Sequence, residues 1–243
     1  ESEVATLIAV TGAVLVLTIN RQAKALWQSH PVGPGDVIDL RFAEKGMRAY
    51  VAVSGGFTTK PVLGSTSTVL REGMGTALIK GQTLECRAQV RESMALPMEC
   101  IPSYADEVFL RMVPGYQFDR FSNRAREKFL GSRFTVSNRS DRMGICLEGS
   151  MIESPSEDLL SEGICLGAVQ VPPDGQPIVL MNDRQTIGGY PKLGSVLSMD
   201  LWKLAQCRPG EWVSFKVLPI EGAEGAVRQE AEERETVELK YVE

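Results

Sequence analysis

The sequence predicts a mainly β protein of two β lobes with a few short helices. Three observations carry that expectation. β-Branched segments are short and frequent, 23 Gly and 13 Pro punctuate them, and apolar spacing of the helical kind is confined to a few places. So many short strands need their edges covered, which favours closed or nearly closed sheets.

Taken in order, strands are expected at 5–10, 13–19, 37–42, 49–53, 83–87, 107–112, 133–136, 145–147, 168–171, 178–180 and 212–217. Thr11-Gly12 reads as a turn between the first two. A helix is expected over 119–130, where Phe118, Phe121, Ala125 and Phe129 recur at helical spacing. A second spans 200–207, with Ser198 or Asp200 as cap and Pro209-Gly210 as stop. The Glu-rich end reads as a solvated, helical acidic tail. The expected division is 1–96 as one β lobe, 97–220 as a second, and 221–243 as the tail. Pro34-Gly35-Asp36 and Pro209-Gly210-Glu211 each open an alternating strand, a weak echo between the lobes.

Composition bounds the function. The 243 residues are 43% hydrophobic and 23% charged, with a net charge of −5, which argues for a globular fold and against nucleic acid as a partner. The uncharged run 4–20 is too short and too rich in Thr and Gly to span a membrane, so a buried hairpin is expected there and no membrane partner. No signal peptide is recognisable, and the five cysteines, odd in number and without a C-x-x-C pair, fit a reducing cytoplasm and no metal site. The single histidine, His30, stands in a turn-like Ser-His-Pro context, where an exposed loop residue is expected rather than a general base. Phosphate loops, dinucleotide fingerprints and nucleophile elbows are absent from the sequence. No cofactor is therefore expected to be bound by a recognisable motif.

What remains is a set of polar loops. Gly55-Gly56-Phe57 and Gly64-Ser65-Thr66-Ser67-Thr68 follow the strand 49–53; Asn138-Arg139-Ser140-Asp141-Arg142-Met143-Gly144 forms a second loop. The densest is 183–192, Asp183-Arg184-Gln185-Thr186-Ile187-Gly188-Gly189-Tyr190-Pro191-Lys192. There the acid beside Arg184 suits a guanidinium held in a fixed pose for a carboxylate or carboxyphosphate. Gln185 and Thr186 supply amide and hydroxyl contacts, and Gly188-Gly189 permit close backbone approach. The alternative is a rigid connection that the Asp183–Arg184 pair merely ties down.

The runs GMRAYVAVSGGF, PVLGSTST, SDRMGICLEG, SEGICLGAVQVPPDGQPIVLMNDRQTIGGYPKLGSV and LAQCRPGEWVSF resemble the KipA / allophanate hydrolase subunit 2 family, which is similar to the carboxyltransferase region of urea carboxylase. The resemblance covers nearly the whole chain, from about Thr6 to Val217. It implies a cyclophilin-like β-barrel architecture without prolyl isomerase activity. It also implies one subunit of an ATP-dependent 5-oxoprolinase complex, which opens 5-oxoproline to L-glutamate. The implied partners are a KipI-like B subunit and a LamB/YcsF-like A subunit, with a small carboxylate as substrate and ATP used by the complex. By motif position the matching residues are Ser65, Thr66, Arg142, Gln170, Asp183, Arg184, Gln185, Thr186, Gly188, Gly189, Tyr190 and Lys192; the resemblance gives the positions and not their separate roles. The charge chemistry of the loop makes Arg184, Lys192 and Asp183 the expected catalytic residues, with Arg184 the anion clamp and Lys192 a second cation, and Ser65, Thr66, Arg142, Gln170, Gln185, Thr186, Gly188, Gly189 and Tyr190 the expected substrate-binding residues. Family relatives also include regulatory proteins that bind a KipI-like inhibitor of a histidine kinase, and urea or allophanate metabolism is a third possibility. Two departures stand out. The family's N-terminal segment is expected to be missing ahead of Glu1, and 73–82 lacks the family's basic and acidic positions.

Overall fold

The computed structural model describes residues 1–89, 91–155 and 159–242. The chain divides into two compact units, Glu1–Pro102 with Val237–Glu243, and Ser103–Thr236. Among the described residues no helix is long and apolar enough to cross a membrane.

The first unit is built from short sheets. Strands β1 (Thr6–Val14), β2 (Leu17–Ile19), β3 (Gln22–Lys24), β4 (Ser29–Val32), β5 (Ile38–Leu40) and β6 (Lys45–Val53) form two three-stranded antiparallel sheets, β4-β1-β6 and β3-β2-β5. A further strand, β7 (Met94–Ala95), pairs with Lys240–Tyr241. Ile8, Ile19 and Val32 make its core, with Ile38 and Val53 packed on them. Thr11-Gly12 is not the expected turn. β1 runs through it, and the pairing with β6 shifts between Gly12 and Val14. Gly12 has φ of 87°, and a Cβ there would lie 2.4 Å from the Arg48 carbonyl oxygen. The glycine therefore makes a bulge, which bends a strand without ending it. His30 is buried in β4, with its Nε2 2.8 Å from the Ala25 carbonyl; it is neither exposed nor placed as a base. The expected strand 83–87 is not formed, and only an isolated bridge joins Phe57 to Cys86.

The second unit contains a closed barrel. Its strands are β8 (Glu107–Pro114), β9 (Phe134–Val136), β10 (Gly144–Glu148), β12 (Ala168–Gln170), β13 (Ile178–Leu180), β15 (Lys192–Val196) and β16 (Trp212–Val217), and β11 (Glu162–Gly163) and β14 (Ile187–Gly188) form a separate ribbon. The order around the barrel is β10-β13-β12-β15-β8-β16-β9, closed by β9 on β10 and antiparallel except for β16 beside β8. Alternating inward residues fill it: Leu110 and Met112 from β8, Leu147, Val169, Val179, Leu193 and Val213 are fully buried. Phe129, Phe134 and Phe215 meet with ring centroids 4.6 to 6.2 Å apart, a packing that adds to their area burial.

Among the described residues three α-helices complete the unit. α1 (Asn123–Gly131) is capped by Ser122, whose Oγ accepts from the Ala125 N–H at 3.1 Å, and buries Ala125 and Phe129. α2 (Ser198–Gln206) buries Leu201 and Leu204. α3 (Ile220–Glu235) is the expected acidic helix, with Ala223 its buried residue. The cap of α2 is Leu197, not Ser198 or Asp200. Asp200 instead turns inward, is fully buried, and accepts from Arg111 Nε at 2.8 Å, Arg111 Nη2 at 2.7 Å, the Arg111 backbone N–H at 2.9 Å and Lys203 Nζ at 2.7 Å. Burial by itself would raise the carboxyl pKa, but these hydrogen bonds outweigh it and bring the group down to about 2.

That balance predicts how stability follows pH. The folded pKa lies below the unfolded one, so the contribution is present above about pH 4 and is lost as pH falls through about 2. Its size is roughly 2–3 kcal/mol. Asp200→Asn should cost about 2–3 kcal/mol at neutral pH, because Arg111 and Lys203, each about a third exposed, lose their carboxylate but keep some water, and the variant should lack this part of the acid slope. Urea unfolding of both proteins across pH 2–7 reads both effects.

Candidate functional site

The densest polar loop leaves the barrel after β13 and returns as β15, so its two ends are pinned by ladder hydrogen bonds of β13 and β15. Inside it the Arg184 N–H bonds the Met181 carbonyl in a turn. That turn sends adjacent side chains apart. Asp183 does not hold Arg184. It takes Arg142 from the loop 138–144 in a bidentate pair, Nε to Oδ2 at 2.9 Å and Nη2 to Oδ1 at 3.0 Å, and the Asp183 N–H also reaches the Arg142 carbonyl at 2.9 Å. Two of the three polar loops are thereby tied together.

Arg184 is left with carbonyl partners. Nε donates to Ile164 at 3.3 Å and Nη1 to Met181 at 3.4 Å. Among the described residues no carboxylate pairs with it, so its charge is oriented without being neutralised. Lys192 differs. Its side chain is 12% exposed and forms an ion pair with Glu162, so it is a compensated cation rather than a second open one. Gln117, 3% exposed, organises this corner. Its Oε1 accepts from the Lys192 backbone N–H at 2.8 Å, and its Nε2 donates to Glu162 at 2.5 Å and lies 3.0 Å from the Tyr116 hydroxyl.

Gln170 is 1% exposed on β12, and its Nε2 has no hydrogen-bond partner among the described residues. It faces Gly188 on the β11–β14 ribbon, where an added Cβ would lie 3.1 Å from that nitrogen, 2.4 Å from Ile164 Cδ1 and 3.5 Å from the Gln185 amide nitrogen. Gly188 is therefore small because Ile164, Gln170 and Gln185 crowd it. Gln185 and Thr186 are exposed, and the Thr186 carbonyl accepts from the Ile164 N–H at 3.0 Å. Gly189 and Tyr190 line a cleft of about 820 Å³ beside α1. Ser65 and Thr66 lie in the first unit, in an exposed turn where Val62 and Ser65 exchange backbone hydrogen bonds and Ser65 Oγ accepts from the Ser67 N–H. Arg184, Lys192, Asp183, Arg142, Gln170, Gln185, Thr186, Gly188, Gly189 and Tyr190 all lie in the second unit.

Gln117 and Glu162 were not legible as site residues. Gln117 carries one signal, a lone amide between Tyr116 and Phe118 just ahead of a helix, and Glu162 lies in an acidic stretch that reads as a solvated face. Among the described residues no group of three or more His, Cys, Asp or Glu is placed to hold a metal. The cysteines are free, and burial pushes the Cys207 thiol up to about 12.

The family model described as carboxyltransferase domain, subdomain A and B, matches residues 1–217. The chain belongs to the carboxyltransferase domain family. Within that family it is similar to the 5-oxoprolinase C subunit of Escherichia coli (strain K12), at 34% identity over 220 residues, 88% of this chain and 70% of that protein. The protein of the same name from Haemophilus influenzae is 32% identical over 219 residues, again 88% and 70%. A putative urea carboxylase of Emericella nidulans is 26% identical over 233 residues, 88% of this chain and 19% of that one. Among solved structures, TTHA0988 superposes with a TM-score of 0.78 at 34% identity over 88% of this chain and 43% of its own. The chain thus spans less than half of that solved relative. Kluyveromyces lactis urea carboxylase gives a TM-score of 0.79 at 21% identity over 99% of this chain and 25% of its own, a likeness of fold alone.

In this carboxyltransferase domain the Gln117 amide is expected to be the stability-determining member of the corner. Gln117→Leu removes an acceptor from the buried Lys192 N–H and a donor from Glu162. It should lower unfolding free energy by about 2–4 kcal/mol, read by chemical denaturation.

Proposed function

We propose that this chain works as the C-type member of an ATP-dependent 5-oxoprolinase, opening the lactam of 5-oxoproline to L-glutamate. The observation that carries the reading is the 34% identity to the Escherichia coli protein of that name across 88% of this chain. The named relatives are subunits, so the activity belongs to a complex; its other members in this reading are a KipI-like B subunit and a LamB/YcsF-like A subunit, in the cytoplasm. ATP is consumed by the complex without a recognisable nucleotide motif in this chain.

The site chemistry supports the reading. Arg184, positive and without a carboxylate partner among the described residues, suits the substrate carboxylate. The Gln170 N–H, buried and unpaired, is a donor waiting for an acceptor oxygen, and an unmet buried donor is costly unless a ligand meets it. The Arg142–Asp183 pair and the Lys192–Glu162 pair hold the loop in place around these donors. The urea carboxylase and urea amidolyase relatives support a second reading, urea or allophanate as substrate of the same donors.

Arg184→Ala should abolish ATP-dependent 5-oxoproline hydrolysis by the reconstituted complex, with circular dichroism and melting temperature unchanged. Full turnover by that variant removes Arg184 from the site. A wild-type complex that consumes urea or allophanate and leaves 5-oxoproline untouched favours the second reading.

A further inference from the structure

The cleft beside α1 carries charge that the proposed reaction has not used. Arg124 and Lys128 stand four residues apart on α1, so they share one face of the helix, and both line the cleft. Neither has an ion pair or side-chain hydrogen bond among the described residues, whereas Arg126 on the same helix is paired with Asp119 and Asn123 and packs over Phe118. Two like charges at this spacing destabilise a helix, so folding does not account for the pair. Tyr190, Pro191 and Pro173 line the same cleft, and among the described residues Glu153 is the acid that lines it. The cleft volume of about 820 Å³ falls within the range of small-molecule sites. A net charge of −5 over the chain makes a local positive wall selective for a small anion rather than a long polyanion.

We propose that this cleft is a binding site for a phosphate-bearing small molecule, with Arg124 and Lys128 on the phosphate and Tyr190 with the prolines against its apolar body. Arg124 offers a planar fork that matches phosphate oxygens two at a time, and Lys128 a compact point charge. An aromatic ring and prolines in the lining suit a base or another flat body. The phosphate has two possible sources, a nucleotide or a phosphorylated acid, and the same two cations serve either. The site goes beyond the proposed reaction, because it assigns to this chain a ligand that Arg184 and Gln170 do not contact.

Calorimetric titration of the full chain, alone and in its complex, tests this with a non-hydrolysable ATP analogue, acetyl phosphate and inorganic phosphate as probes. Saturable binding of at least one probe is expected, weakened roughly a hundredfold in Arg124→Glu/Lys128→Glu and largely kept in Arg124→Lys. Both residues are exposed, so melting temperature and barrel circular dichroism should hold. Tight analogue binding with weak competition by phosphate identifies a nucleotide; acetyl phosphate binding much tighter than phosphate identifies a phosphorylated acid; equal binding of all three probes reads charge alone and overturns the role given to Tyr190 and the prolines. No binding of any probe to the wild type at millimolar concentration overturns the site, as does binding unchanged in the double variant. A double variant that binds normally but no longer assembles with its partner proteins also overturns it, and makes the patch an assembly surface. These readouts need no 5-oxoproline turnover: a complex inert on 5-oxoproline sinks the proposed reaction alone, and an active complex with unaltered probe binding in the variant sinks this site alone.

Discussion

A single buried amide holds one polar corner of the second unit together. Gln117 satisfies the backbone N–H of Lys192 and the carboxylate of Glu162 with its two ends, and so joins three segments far apart in sequence. The side chain lies almost out of water, where each hydrogen bond is strong and an unmet one is costly. Glu162 in turn binds the Lys192 ammonium. The start of β15, the ribbon strand β11 and the segment ahead of α1 are thus held in register by one polar side chain.

That arrangement sorts the cations of the unit by what they can still do. Lys192, Arg142 and Arg111 each have an acid partner and act as fasteners. Arg184 is oriented by carbonyl oxygens, and Arg124 and Lys128 line their cleft without an acid partner among the described residues. A paired cation has spent its field on a neighbour, while an unneutralised one keeps it for a ligand. The chain is acidic overall, with a net charge of −5, and these three cations keep their charge open at one loop and one helix face.

Much of the barrel was legible from sequence. Strands at 107–112, 133–136, 145–147, 168–171, 178–180 and 212–217 appear within a residue or two, because their β-branched residues alternate and turn residues bound them. Ser29–Val32 and Lys192–Val196 went unread, since a Pro in one and a Lys-x-Gly start in the other blur the period. Thr11-Gly12 shows the limit of local rules: the same glycine serves a turn or a bulge, and the nearby Arg48 carbonyl decides.

The sequence alone determined that this is a mainly β chain with polar loops at 138–144 and 183–192, because hydrophobic period and turn chemistry are local properties. It also carried the resemblance that the carboxyltransferase family match confirmed. Which acid meets which base was decided only by the tertiary structure. Asp183 faces Arg142 across 41 positions and Arg111 faces Asp200 across 89, and the energy of an ion pair depends on distance in space and on exclusion of water, neither of which adjacency in the chain encodes.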